Sequence, residues 1–297
     1  MKSLLAVLVL FSVINISTAQ DTLTQAVSFP KLKGEYLGQE LPGKHPVVFA
    51  PGVVSTKGNI EGGQTFSTDG KEFYFVRTEG LNPHAKASIM VTRMIDSVWS
   101  EPQVAAFSGV YADFEPHISP DGKKFYFNRL NLSDNNFNNG IWVMEREKDK
   151  WSEPKFFRPG MFITETKNGT IYYTDIANPD RDFAYAEFIN GNYDSVKGIP
   201  GVDSEFFDAH PCIAPDESFI VFDSKRPDRN SPWELYAAFK TVDGNWSKSY
   251  SLSSCLGEGY QMQASLSPDG KYLFYHSNGD IYWIDAKVLK SVIPVEQ

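Results

Sequence analysis

A twelve-residue pattern recurs along this chain and leaves few folds open to it. Its clearest copy is Ile118-Ser-Pro-Asp-Gly-Lys-Lys-Phe-Tyr-Phe-Asn-Arg129. Proline presets φ, aspartate bonds the backbone ahead and glycine accepts a positive φ, so Pro120-Asp121-Gly122 reads as a tight turn between two strands. Phe125 and Phe127 alternate with Tyr126, the period of a strand with one face buried. Phe66-Ser-Thr-Asp-Gly-Lys-Glu-Phe-Tyr-Phe-Val-Arg77, Ile213-Ala-Pro-Asp-Glu-Ser-Phe-Ile-Val-Phe-Asp-Ser224 and Leu266-Ser-Pro-Asp-Gly-Lys-Tyr-Leu-Phe-Tyr-His-Ser277 repeat it. A degraded copy keeps only Asn168-Gly169 at its turn. The turn residues Asp69, Asp121, Asn168, Asp216 and Asp269 fall roughly 50 residues apart, the spacing of propeller blades.

Third strands are expected over residues 88–92, 140–145, 183–187, 234–238 and 280–285. Fourth strands follow Trp99-Ser-Glu-Pro, Trp151-Ser-Glu-Pro and Trp246-Ser-Lys. Each unit is then a four-stranded antiparallel meander. The last unit lacks a fourth strand, while residues 45–56 look like a fourth strand with no blade before it. Closing the ring with that N-terminal strand removes the open seam of a linear array. The expectation is an all-β, single five-bladed propeller over residues 45–297, with six blades as the alternative.

Residues 1–19 read as a secretory signal: Lys2, an apolar run, then Ser17-Thr18-Ala19. The run is too short for an ordinary membrane span, and no later stretch is long enough for one. The mature chain is therefore expected to be periplasmic or secreted. Residues 20–44 read as a leader on the surface. A net charge of −9 without a basic run argues against nucleic acid as a partner. Cys212 and Cys255 leave a disulfide open.

The Ser-Pro-Asp-Gly-Lys-x-x-Tyr-Phe pattern resembles the Pro-Asp repeats of TolB-type propellers, exported bacterial proteins of mostly unassigned function. The resemblance implies a fold and leaves the activity open, because propellers host binding proteins, lyases, hydrolases and lactonases.

In a meander the segments before the first strand and after the second lie on the face opposite the turns. Counting back from the turn residue, position −6 holds Gly63, Glu115, His210 and Gln263. Position −8 holds Glu61, Asp113, Asp208 and Gln261. Strict alternation puts both rows on one side of their strands, converging at the channel mouth. The carboxylates suit calcium, and Glu115, His210 and Gln263 suit a divalent transition metal. A water-filled mouth with hydrogen-bonded polar residues is the plainer alternative. Arg77 and Arg129 end neighbouring second strands, with Lys225, Arg226 and Arg229 on the same face. Guanidinium groups pair carboxylate or sulfate, or else neighbouring acids of the protein itself.

Two functions follow. One is a binding protein that recognises a polar, anionic glycan or envelope protein. The other is a carbohydrate-active enzyme, a polysaccharide lyase or glycoside hydrolase acting on an acidic sugar, with His210 or His276 taking the proton. Exported propellers resembling oligogalacturonate lyases hold a metal with histidines and a glutamine, of which His210 and Gln263 match here. No Gly-x-Ser-x-Gly, phosphate loop, Cys-x-x-Cys or His-Glu-x-x-His occurs.

Overall fold

A computed structural model describes residues 29–81, 86–131, 133–134, 136–178, 182–226, 233–257 and 259–293. The expected signal at 1–19 lies outside them, as does Arg229. Residues Lys31–Gln297 form one compact unit.

The repeated turns form as their residue types require. Asp69 and Ser67 hydrogen-bond each other at 2.6 Å, and the Lys71 N–H donates to Asp69 at 3.1 Å. The same bonds recur at Asp121 and Asp269. Gly70, Gly122, Gly169 and Gly270 supply the positive φ, and in the fourth copy Glu217 adopts it at +60°. These turns join the inner strands Ile60–Phe66, Ala112–Ile118, Met161–Glu165, Phe207–Ile213 and Gln261–Leu266 to their second strands.

Five antiparallel sheets result, arranged as a five-bladed propeller. The third strands run Ala87–Ile95, Gly140–Glu147, Phe183–Ala186, Glu234–Phe239 and Asp280–Asp285. Blade three, the degraded copy, has a three-stranded sheet followed by a small hairpin, Phe188–Ile189 with Asn192–Tyr193. Ring closure runs as the repeat count requires. Val47 and Val48 pair with Trp283 and Tyr282, and the Phe49 N–H donates to the Ile281 carbonyl.

The second strands differ from the expectation of one buried face. Phe125, Tyr126 and Phe127 are all fully buried. Each middle strand is sandwiched between neighbouring blades, so both of its faces are core. Phe73 meets Phe49 and Phe66 on the blade-five side, while Tyr74 packs edge-on to Phe125 of blade two.

The segment before residue 45 is also more than a surface leader. Lys33 bridges Val98, and Trp99 Nε1 donates to the Gly34 carbonyl at 2.8 Å. Tyr36 packs edge-on to Phe66 and tilted against Trp283, and Leu37 is fully buried. The segment therefore ties blade one to blade five across the point where the ring closes. Cys212 and Cys255 are both free thiols. Truncating Leu37 to alanine should lower unfolding free energy by about 2–5 kcal/mol. Urea denaturation at neutral pH measures this, and a change within error would mean that the segment contributes nothing to the closure.

Candidate functional site

Inner strands of adjacent blades do not share a hydrogen-bond ladder, so their facing backbone N–H groups need other acceptors. Side chains supply them. At position −4, Thr65 accepts from the Ile118 N–H, His117 Nε2 from Glu165 and Thr164 from Ile213. The Leu266 N–H serves the Cys212 sulfur. Gln64 of blade one completes the circle by donating to Ser265 at 2.9 Å. Burial pushes the His117 pKa down to about 4, so the ring is neutral and accepts through Nε2.

Every inner strand also carries a bulge, and always at position −6. Gly63, Glu115, Phe162, His210 and Gln263 have φ between +44° and +56°. Glu115 and Pro116, for example, stand opposite the single residue Phe127, since Phe114 pairs with Asn128 and His117 with Tyr126. The bulge breaks the alternation that the sequence suggested. Rows −8 and −6 therefore do not form one ring.

Row −8 turns into its own blade. Glu61 lies opposite Arg77 and Asp113 opposite Arg129 in the strand register. Arg77 Nε donates to Glu61 at 2.8 Å, and its Nη2 serves the Val53 and Val54 carbonyls. Arg129 grips Asp113 through Nε at 2.6 Å and Nη2 at 3.2 Å, beneath the rings of Tyr111 and Trp142. Burial raises the pKa of Glu61 and of Asp113, and the arginine beside each opposes that rise. Asp208 accepts from the Ser204 N–H, and Gln261 donates to the Gly257 carbonyl. Arg226 bonds Ser224 and Ser249 and lies 3.9 Å over the Tyr236 ring. The expectation that Arg77 and Arg129 hold an anionic ligand is thus corrected. A fixed internal carboxylate already occupies each guanidinium.

Row −6 does converge, at mid-channel. His210 Nε2 lies 3.1 Å from Glu115, and Nδ1 lies 2.8 Å from Asp223. Gln263 donates to Glu115 at 3.3 Å, and its backbone N–H to Asp223 at 3.1 Å. Glu115 also takes the Phe162 N–H at 2.9 Å. Burial alone would lower the His210 pKa, but the charges and hydrogen bonds of Asp223 and then Glu115 outweigh it. The result is a pKa raised to about 10, so His210 is an imidazolium between two buried carboxylates. Such a ring offers protons where a metal needs lone pairs. Among the described residues no group of His, Cys, Asp and Glu is placed to hold a metal ion. Glu115, His210 and Gln263 therefore meet as expected, but as an ion cluster that does not fit a metal centre.

His276 joins this cluster from blade five. Its Nδ1 lies 2.8 Å from the Glu61 carbonyl. Burial first, and then the nearby His210 charge, lower its pKa. His276 is neutral with Nδ1–H donating, which leaves Nε2 as an acceptor. Blade one makes room for it. A Cβ on Gly62 would meet Gln263 Oε1 at 2.9 Å and His276 Nδ1 at 3.2 Å. Tyr260 packs edge-on to His276, with ring centroids 5.8 Å apart.

Asp223, inside the second strand of blade four, was missed by sequence reasoning. It stands seven residues after its turn, where Asn128 and His276 stand in their blades. A polar residue there, inside an otherwise apolar strand, was the available signal. Asn128 and Asp223 each accept the bulge N–H of the next blade.

No family model matches the chain, and no curated protein matches it. Solved structures similar to it include a TolB candidate from Agrobacterium tumefaciens, 15% identical, with a TM-score of 0.44 over 80% of this chain and 91% of that one. A gluconolactonase from Xanthomonas campestris is 9% identical, with a TM-score of 0.47 over 78% and 88% of the two chains. An alpha-L-arabinofuranosidase from Lactobacillus brevis is 15% identical, with a TM-score of 0.47 over 73% and 83%.

Two outcomes are expected from this geometry. Arg129→Ala should cost about 3–5 kcal/mol by stranding Asp113 in the core, measured by urea denaturation. The His210 pKa, about 6.5 in the unfolded chain and about 10 when folded, makes the folded state the better proton binder between those values. Its contribution is complete below pH 6.5 and is lost as pH rises toward 10, on the order of a few kcal/mol. Unfolding free energies at pH 6.5, 8 and 9.5 should fall in that order, and His210→Gln should flatten the trend.

Proposed function

We propose that this chain is an exported, TolB-like binding propeller that recognises a polar, hydroxyl-rich ligand at the channel face opposite the turns. A neutral glycan, free or carried by an envelope protein, suits that face better than an acidic one. The observation that carries the reading is the internal pairing of the site's charges. Arg77 and Arg129 are neutralised by Glu61 and Asp113, and His210 sits between Glu115 and Asp223. Beside the His210 cluster, Gln263, His276 and Tyr260 are partly exposed and are uncharged hydrogen-bonding side chains. Neutral donors and acceptors beside an aromatic ring match sugar hydroxyls and ring faces. Among the described residues no helix is long and apolar enough to cross a membrane.

A second reading, a glycoside hydrolase or polysaccharide lyase, draws on one observation. The pKa values of His276 and His210 move in opposite directions side by side, as in an acid–base pair. Against it, Glu115 and Asp223 are buried and tied, and Arg77 and Arg129 are each paired with an internal carboxylate. A neutral-glycan array followed by titration calorimetry separates the two. Tyr260→Ala should weaken the bound glycan about tenfold or more at an unchanged thermal midpoint, with no release of reducing ends. Reducing ends that appear with wild type and vanish with His276→Ala would replace binding by catalysis.

A further inference from the structure

The channel has a pocket on the turn face. The cluster of Glu115, His210, Asp223 and Gln263 stands farther from the turns than the residues that line this pocket. The pocket's volume is about 180 Å³, and residues of all five blades line it at equivalent positions.

The chemistry of this pocket follows from the inter-blade bonds. Its walls include the position −4 side chains, whose acceptor atoms are already used by backbone N–H groups of the next blade or, at Ser265, by the Gln64 amide. Toward a guest they present mainly carbon. The rim is formed by the residues just before the turns, three of which are prolines, Pro120, Pro215 and Pro268. Blade three departs from the repeat here and places Lys167 at the rim. Lys167 is exposed, and its ammonium forms no ion pair with a described residue. Nearby, Lys124 pairs with Glu165 at 3.2 Å, and Asp216, next to Pro215, feels the Lys167 charge.

We propose that the turn-face pocket binds a small monocarboxylate with a compact apolar body, the body seated in the pocket and the carboxylate on Lys167. An ammonium at the rim of an otherwise satisfied, carbon-lined pocket selects an anion with a greasy tail over a sugar or a polyanion. This site is independent of the glycan reading, which concerns the other face.

The test uses the mature protein and titration calorimetry with 4-methylpentanoate, with 4-methylpentanamide as the uncharged control. Saturable binding of the acid is expected, weakened tenfold or more by Lys167→Gln and absent for the amide. Lys167 is exposed and its side chain bonds nothing described, so the variant should fold as wild type does. Tyr260→Ala should leave carboxylate binding unchanged while reducing any glycan binding. The proposal is overturned by lack of saturable binding to wild type, by equal binding of the amide, or by full affinity in Lys167→Gln. It is equally overturned if Tyr260→Ala abolishes carboxylate binding, because the acid would then occupy the other face.

Discussion

The structure depends on how adjacent inner strands satisfy backbone groups that no ladder serves. Five sheets arranged around an axis leave each inner strand with an unpaired edge facing its neighbour. Water is largely excluded there, and an unpaired buried N–H costs about 1–3 kcal/mol. The chain answers with side chains at two heights. Thr65, His117, Thr164 and Cys212 serve one ring of N–H groups. Asn128 and Asp223 serve the bulges above it.

This arrangement explains why the channel is so rich in polar residues. Polar side chains on an axis invite a catalytic reading, and part of that density is structural. His117 is an acceptor for a neighbouring blade, held neutral by burial. Glu115 is shared among His210, Gln263 and the Phe162 N–H. Once those bonds are assigned, little free charge remains at mid-channel, and recognition falls to Gln263, His276 and Tyr260. The same accounting leaves Lys167 as the charge at the opposite mouth that the repeat does not explain.

Bulges at one position in all five blades give the channel its form. Four of the five place a residue other than glycine at positive φ. Such backbone is costly for a bulky side chain such as Phe162, and it persists only where surrounding bonds over-determine it. The bonds are present: the Phe162 N–H is held by both Glu115 and Asn128. Strain and inter-blade bonding therefore occur at the same residues.

The repeat alone pointed to five blades, with six left open, and determined the turn chemistry, the third strands and ring closure by a strand within residues 45–56. All of these rest on local rules: φ at Asp-Gly turns, strand periodicity, and the cost of an open sheet edge. It also placed Glu115, His210 and Gln263 at one height, because equivalent positions in a symmetric ring must meet. Only the tertiary structure decided what they do there. A bulge changes side-chain direction without leaving a mark in the alternation pattern, so Glu61 and Asp113 were grouped with the wrong ring. Pair choice is likewise non-local. Whether Arg129 meets a ligand or Asp113 depends on cross-strand register, and the partnership of His210 with Asp223 depends on both residues of a hairpin turning toward the axis.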